Sequence, residues 1–457
     1  MRLLSTSLFF LIFPLAVYAQ IQQPIYRSAS DSAMYSQLQE RLSELMAPGG
    51  GGDPRSIDSL RERLLKLRNV AVIGVRYRYQ PDGSYTPLTD LLDGKVKPAD
   101  VKKLSISEWK EKKLPREIYH CTELQSLEII DGAFRKIPRK LNRLKKLERL
   151  AVYTHKSKRP LRIARNTTIH HVLFRGDTPD VLPRSFHRFT RLDTLDLKRN
   201  GLTSFPSVHK NNLLKQLVLA ENQLTLKDKK IHPNASLEHL LLQRNSIEEI
   251  PASISQFPRL KKLILNYNRI NKISPELAQL SDLEELGLYQ NNLTAIPSVV
   301  YGMKQLKFLD LYYNQLEVID DDIVNLQNLE ILYLSSNRIY KISEKVGELK
   351  NLKELYVHHN RLSYLPESLK KLNDLEVLRM NANNLVDVPE WIAELKNLKN
   401  LDISHNRIYR APAVIRKLAN LELVGLTENT WENKEDVMAL ADELATRGVI
   451  VQLEQLD

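Results

Sequence analysis

The sequence predicts an α/β solenoid, and two observations indicate this fold class. Apolar residues that open a recurring unit stand at fifteen positions from Val101 to Leu421, separated by 22 or 23 residues. Within each unit, apolar and variable residues first alternate and then return at a helix-like spacing. A period of roughly 20 to 50 residues is typical of repeat architectures. The alternation is typical of a short strand with one buried face.

Each unit follows one order, with apolar residues at positions one, four, six and eleven. Ile-Pro or Leu-Pro often follows the last of these. LEHLLLQRNSIEEIP, from Leu237 to Pro251, shows the order completely. Asparagine occupies position nine in the last eleven units, where the chain leaves the strand and buries backbone donors and acceptors. A side-chain amide satisfies both kinds of group. We therefore assign to the scaffold Asn200, Asn222, Asn245, Asn268, Asn291, Asn314, Asn337, Asn360, Asn383, Asn406 and Asn429.

This pattern resembles the leucine-rich repeat family in its 23-residue form, from Val101 to about Asn429. The resemblance implies a curved solenoid with a parallel sheet on its concave face and helical or irregular returns on its convex face. It implies about 15 repeats with a cap at each end. The first four units depart from the pattern and carry Trp109, Gly132, His155 and Asp177 where Asn is expected.

The first nineteen residues have the composition of a secretory signal peptide. Arg2 precedes an apolar run from Leu8 to Val17, and Ala19 ends the segment. The run is short for a membrane-spanning helix, which needs about 20 residues. Cys121 is the only cysteine, so the caps lack the cysteine cluster of many animal and plant family members. These features predict an exported bacterial protein that is periplasmic, on the cell surface or secreted.

The remaining segments flank the repeats. Residues 20–100 are predicted to form an N-terminal cap region with a helix at 31–46, a glycine-rich linker at 48–53, and then a second helix and a strand. Residues 101–429 form the predicted repeat domain. Residues 430–457 are predicted to form a C-terminal cap from one helix and one strand, which closes the last unit.

No motif in the sequence indicates catalysis or a cofactor. The eleven histidines lack metal-ligand spacing, and phosphate-binding loops and nucleophile motifs are missing. Cys121 stands at a position that other units fill with leucine, so we assign it to the core. We therefore expect a protein that is not an enzyme and that has no cofactor and no metal.

One segment is strongly basic. Between Arg135 and Asn166 there are thirteen Lys or Arg residues against one acidic residue, Glu148, which leaves +12, the net charge of the whole chain. Most of these residues follow the strand positions, which predicts a basic patch on the returns or on one flank. The predicted patch comprises Arg135, Lys136, Arg139, Lys140, Arg143, Lys145, Lys146, Lys156, Lys158 and Arg159.

The concave face is the predicted binding surface. If positions four and six face the core, positions three, five and seven face outward and position eight lies at the edge. Five consecutive units place aromatic residues there, over roughly 20 Å because strands lie about 4.8 Å apart. The predicted contact residues are Tyr267, Tyr289, Phe308, Asp310, Tyr312, Tyr313, Tyr333, Tyr356, His358, His359 and Arg379. Tyrosine is enriched at binding hot spots, and cross-strand support of the sheet is the alternative role for these rings.

The predicted function is therefore recognition of another macromolecule by the concave face. A protein or peptide is the expected partner, and a glycan or an anionic surface is an alternative. Nucleic acid is not expected, because the chain is predicted to be exported and the basic segment lacks interleaved aromatic residues. The alternative function is that of an envelope-associated structural protein, which would dock on an anionic surface or glycan through residues 135–166.

Overall fold

The computed structural model describes residues 84–453, apart from 134, 155–159, 177–178, 180–181, 184 and 228–230. The predicted signal peptide at 1–19 and the helices, linker and strand predicted before residue 80 lie outside the described residues. So do three residues of the predicted basic patch, Lys156, Lys158 and Arg159, and two at position nine, His155 and Asp177. These predictions stay predictions.

The described residues form one long sheet of seventeen strands, in which each strand pairs in parallel with the next strand of the sheet. Every strand except the first and the last begins two residues after the apolar residue that opens its unit. The strands are β1 (Thr86–Pro87), β2 (Lys103–Ser107), β3 (Ser126–Ile130), β4 (Arg149–Thr154), β5 (His171–Gly176), β6 (Thr194–Asp196), β7 (Gln216–Val218), β8 (His239–Leu241), β9 (Lys262–Ile264), β10 (Glu285–Gly287), β11 (Phe308–Asp310), β12 (Ile331–Tyr333), β13 (Glu354–Tyr356), β14 (Val377–Arg379), β15 (Asn400–Asp402), β16 (Leu423–Gly425) and β17 (Ile450–Gln452). The parallel solenoid sheet is thus confirmed.

The returns between the strands are mostly single turns of 3₁₀-helix. Most follow a proline or a serine, and their last amide donates to a carbonyl three residues earlier, the tighter geometry used for short pieces. The described 3₁₀-helices are Pro98–Asp100, Glu117–His120, Arg139–Arg143, Phe186–Arg188, Ala252–Gln256, Pro275–Gln279, Asp321–Asn325, Glu344–Glu348, Glu367–Lys371, Glu390–Glu394 and Ala413–Lys417. Three α-helices are described: α1 (Leu88–Leu92), α2 (Ser298–Tyr301) and α3 (Lys434–Thr446). Pairs of two-residue strands join Lys136–Ile137 to Arg162–Ile163, Glu249–Ile250 to Lys272–Ile273, and Val318–Ile319 to Lys341–Ile342.

The apolar residues of the repeat fill one continuous core between the sheet and the returns. In the unit of β11, Leu309 and Leu311 at positions four and six are completely buried, as predicted. Cys121 is also completely buried, and its burial raises the pKa of the thiol to about 11. The prediction that Cys121 is a core residue is therefore confirmed.

The asparagines at position nine satisfy backbone groups at the bend, as predicted, and they also connect neighbouring repeats. Asn314 donates from Nδ2 to the carbonyl oxygens of Leu288, in the preceding repeat, and Leu311, in its own, at 3.0 and 3.1 Å. Its Oδ1 accepts the amide of Leu293 at 3.1 Å. Asn291 and Asn337 make the equivalent bonds. One side chain thus bonds three backbone groups at the bend, and each carbonyl accepts from two ladder asparagines.

Position two carries a charge pattern that our sequence interpretation did not include. Lysine and glutamate alternate there over ten consecutive units, from Lys215 to Glu422. Neighbouring units form ion pairs through them: Lys215–Glu238, Lys261–Glu238, Lys307–Glu284, Lys353–Glu330 and Lys399–Glu376, at 2.7 to 3.8 Å. Exposed pairs contribute roughly 0.2 to 1 kcal/mol each. The alternation therefore adds a small stabilisation at five of the nine steps between these units.

The helix and strand predicted after the last repeat are both present. Asn433 caps α3, because its side chain accepts the amide of Glu435. Val437, Leu440 and Leu444 of this helix are buried in the common core, and β17 pairs with β16. Over the described ranges, no helix is both long and apolar enough to cross a bilayer.

Candidate binding surface on the sheet

The predicted aromatic residues lie together on the open face of the sheet, the face turned away from the core. Phe308 begins β11, while Tyr333 and Tyr356 end β12 and β13, where they are direct register partners. The others follow the ends of their strands. We define the aromatic cluster as Tyr267, Tyr289, Phe308, Tyr312, Tyr313, Tyr333, Tyr356, His358 and His359.

The first part of the cluster is a packed group of tyrosine rings. Tyr289 stacks on Tyr312, with ring centroids 5.1 Å apart and planes inclined by 13°. Tyr267 meets Tyr289 edge to face at 4.7 Å, and Tyr313 meets Tyr312 in the same way at 4.6 Å. The guanidinium of Arg244 lies 4.1 Å from the centre of the Tyr267 ring. This end of the cluster therefore carries a cation held over an aromatic face.

The second part continues across the next two strands. Tyr333 lies edge to face against Phe308 at 5.4 Å and against Tyr356 at 4.5 Å. His358 joins the two parts, because its ring lies 5.8 Å from Tyr312 and 6.3 Å from Tyr356. The predicted continuity of the cluster is therefore confirmed by ring contacts.

The rings are less exposed than the sequence suggested. All seven tyrosine and phenylalanine rings are half-buried, and His359 alone of the nine residues is exposed. Burial raises the pKa of Tyr289 and Tyr356 far above the ordinary value, and that of Tyr333 to about 12. The sequence did not reveal this, because each ring is covered by rings from neighbouring repeats. The cluster therefore supports the sheet as well as forming a surface.

Position eight has a left-handed backbone in nearly every described unit. In the cluster, φ is +59° at Tyr267, +54° at Tyr313 and +52° at His359. Residues with side chains adopt this region at a cost of roughly 1 to 3 kcal/mol. Sequence reasoning missed this feature, because glycine usually signals a positive φ and these positions carry Tyr and His. The repeated conformation fixes the direction of each edge side chain.

Two titratable groups at the cluster have little access to water: Asp310 is buried and His358 is half-buried. Asp310 is 9% exposed and accepts the amide of Tyr312 at 3.1 Å, and burial raises the pKa of its carboxyl to about 6. His358 shares a hydrogen bond of 2.7 Å with Ser335 through Nδ1. Burial, followed by the charges of His359 and Arg379, lowers the pKa of His358 to about 3. Near neutral pH the cluster therefore holds a neutral imidazole and an ionised, poorly solvated carboxylate.

Arg379, at the end of β14, brings an uncompensated positive charge to the cluster. Its guanidinium lies 5.9 Å from the centre of the Tyr356 ring, and its Nε is buried without a hydrogen-bond partner. Its register neighbour Asp402 accepts the amide of Ser404 instead, at 3.1 Å. Within the described part of the chain, no carboxylate pairs with Arg379. The charge is available to a ligand.

The predicted basic patch lies on the returns and turns, as expected. Arg139, Lys140 and Arg143 belong to one 3₁₀-helix and are exposed. Among the patch residues that the structure describes, Lys146 alone forms an ion pair, with Glu123 at 2.5 Å. The patch is therefore a largely unneutralised cationic surface, separate from the aromatic cluster.

The residues of the described ranges contain no group of three His, Cys, Asp or Glu side chains arranged to hold a metal ion. An open cavity of about 370 Å³ lies on the side of the returns, lined by Val318, Lys341, Ser343 and Asp320–Asp322. It includes no residue of the aromatic cluster. The site that the geometry supports is therefore a surface rather than an enclosed pocket.

Comparison with protein families identifies the repeat. The family model described as "Leucine rich repeat" matches residues 258–316 and 327–385, and the model "Leucine Rich repeats (2 copies)" matches residues 304–347. No curated protein matches the chain significantly.

Solved structures with the same architecture cover most of the chain. A leucine-rich repeat protein of Leptospira interrogans is 25% identical with a TM-score of 0.65, over 80% of this chain and 99% of that one. The plant peptide hormone receptor RGFR1, in complex with RGF2, is 22% identical with a TM-score of 0.51, over 72% of this chain and 59% of the receptor. A TDR receptor is also 22% identical with a TM-score of 0.51, over 78% and 63%. The likeness to the two receptors shows the fold alone.

Proposed function

Because this chain is a leucine-rich repeat protein, we propose that it is an exported, non-enzymatic recognition protein. The aromatic cluster would bind an extended segment of another protein. One observation carries this proposal: half-buried aromatic rings form a continuous surface across five repeats, with the uncompensated charge of Arg379 at one end. Fold alone does not fix function, so the proposal depends on this surface.

The chemistry of the surface favours a polypeptide. Tyrosine and arginine are the residues most enriched at protein interfaces and their hot spots. Rings that are already packed against one another lose little conformational freedom on binding. A carboxylate of the partner would pair with Arg379 in a partly desolvated place, where a charge-assisted hydrogen bond is stronger than in bulk water.

Selection from a library of random peptides tests the proposal. We expect one class of the peptides selected on the wild-type chain to bind the variants Tyr312→Ala and Tyr333→Ala roughly 30-fold more weakly, the loss typical of a hot-spot residue. Arg379→Gln should weaken the binding of those selected peptides that contain Asp or Glu. Gln216→Ala, which changes an outward position on β7, is the matched control and should leave affinity unchanged.

Stability must be followed beside affinity, because the rings also pack on one another. Tyr312→Ala should lower the melting temperature by several degrees, since aromatic contacts contribute roughly 0.5 to 1.5 kcal/mol beyond buried area. Tyr312→Phe should keep both stability and most of the affinity. The proposal is contradicted if every selected peptide binds Tyr312→Ala and Tyr333→Ala as tightly as the wild type.

The basic patch supports a second candidate function, docking on an anionic surface. Its described residues are exposed, and one of them alone is neutralised by an ion pair. Replacing Lys145, Lys146, Lys156 and Lys158 with Gln should weaken binding to vesicles containing phosphatidylserine by more than 100-fold, since each cation contributes about 1 kcal/mol near such a surface.

The matched control for the vesicle experiment removes the same number of charges elsewhere. Lys261, Lys307, Lys353 and Lys399 of the position-two pattern already pair with glutamates. Their replacement by Gln should change vesicle binding little. Equal loss for both variants would show a general effect of net charge and would remove the basic patch as a docking site.

A further inference from the structure

A row of exposed apolar side chains lies on one flank of the solenoid, after the positions of the aromatic cluster in each unit. We call this row the flank stripe: Tyr340, Tyr364, Val386 and Tyr409, which are 52%, 54%, 47% and 40% exposed. They come from four consecutive units and stand at positions twelve or thirteen, after the scaffold asparagine has ended the sheet. The four preceding units carry no aromatic residue at these positions. The stripe is therefore a local feature and not part of the repeat.

Cations accompany the stripe. Arg338, Arg361 and Arg407 stand at position ten of three of these units and are exposed. Over the part of the chain that the structure describes, none of the three forms an ion pair. Positions ten to thirteen of the four units together contain five Arg or Lys residues and one acidic residue, Asp387.

The size of the stripe is that of an interaction surface. Stacked repeats lie about 4.8 Å apart, so four of them span roughly 15 Å. Three half-exposed tyrosines present on the order of 300 Å² together, which already reaches the size of the largest apolar patch on an ordinary monomer. A patch of this size on a monomer is often functional.

We infer that the flank stripe binds an acidic segment of a partner protein, independently of the aromatic cluster. The apolar side chains of that segment would pack between the tyrosines, and its carboxylates would pair with Arg338, Arg361 and Arg407. Charge complementarity selects this partner, because guanidinium groups are planar forks that match carboxylates, and these three come from the same units as the stripe and form no ion pair within the described residues. A lipid surface fits less well, since the stripe lacks the Trp, Phe and Leu side chains that enter a bilayer interface.

Two triple variants test the inference with a random-peptide library as the probe. One replaces Tyr340, Tyr364 and Tyr409 with Ser, and the other replaces Arg338, Arg361 and Arg407 with Gln. We expect the library to yield peptides rich in Asp and Glu with an apolar neighbour, which bind both variants at least tenfold more weakly. These peptides should bind Tyr312→Ala as they bind the wild type, so the result does not depend on the aromatic cluster.

Controls separate the remaining outcomes. Arg269→Gln, at position ten of an earlier unit, should leave the affinity of the selected peptides unchanged. All replaced side chains are exposed, so the melting temperatures should stay within about two degrees of the wild type. The inference is overturned if no selected peptide distinguishes the variants from the wild type. It is also overturned if both triple variants bind phosphatidylserine vesicles more weakly than the wild type does but bind the selected peptides equally well.

Discussion

Replacing Asn314 with alanine is expected to lower the free energy of unfolding by about 3 kcal/mol. The change leaves the amide of Leu293 without its partner. The carbonyls of Leu288 and Leu311 each lose one of two bonds and keep the other, from Asn291 and Asn337. A buried group that loses its only hydrogen bond costs roughly 1 to 3 kcal/mol. Water cannot easily replace the amide, because Asn314 is 8% exposed. Urea unfolding followed by circular dichroism measures the loss.

Asn292, which directly follows the preceding ladder asparagine Asn291, provides a control. Its Nδ2 donates to the carbonyl of Arg269 at 3.3 Å, and the side chain is exposed. Asn292→Ala should therefore lower stability by less than about 1 kcal/mol. Equal losses for the two variants would mean that the ladder contributes no more than a surface hydrogen bond. Because repeats unfold as linked neighbours, the slope of the urea transition should be compared as well.

The ladder could be predicted from the sequence because it repeats. One residue type returned at the same position of each later unit, and the need for a donor and an acceptor at a buried bend explained the choice. The alternation of Lys215, Glu238 and the residues that follow was equally visible at position two, and the ion pairs between them are present. It was missed because position two was treated as a variable position.

The candidate site was only partly predictable. Counting positions placed Phe308, Tyr333 and Tyr356 on the open face, since alternation in a strand fixes the side of each residue. Counting positions did not predict the low solvent exposure of the Asp310 and His358 side chains, because rings from neighbouring strands cover them. Counting also gave no sign that the register neighbours Arg379 and Asp402 would form no ion pair. Pairing between side chains depends on rotamers, and a single sequence does not specify them.

The flank stripe shows a further limit of the repeat pattern. Tyr340, Tyr364 and Tyr409 stand at positions that differ from unit to unit, so the scaffold places no constraint on them. Their shared exposure on one flank becomes visible only when consecutive repeats are stacked. The positions that carry the most functional information are therefore the ones that the period does not explain.

Acidification is expected to affect His358 and Asp310 in opposite directions. The pKa of His358 is lowered to about 3 in the folded protein, below its unfolded value of roughly 6.5. Its contribution to stability is therefore present above about pH 6.5 and is lost as pH falls toward 3. The pKa of Asp310 is raised to about 6, above its unfolded value of roughly 4. Its ionisation therefore destabilises the fold above pH 6, and this loss is relieved as pH falls toward 4.

Two variants separate these contributions between pH 7 and pH 4.5. His358→Gln should remove a loss of roughly 2 to 3 kcal/mol on acidification, so this variant should lose less stability than the wild type at pH 4.5. Asp310→Asn keeps an acceptor for the Tyr312 amide and should remove a gain of roughly 2 kcal/mol, so it should lose more. Urea unfolding at both pH values provides the comparison, in which the titration of all other carboxylates cancels. If both variants follow the pH dependence of the wild type, neither group is desolvated by the aromatic rings, and the cluster must be open to water between its tyrosines.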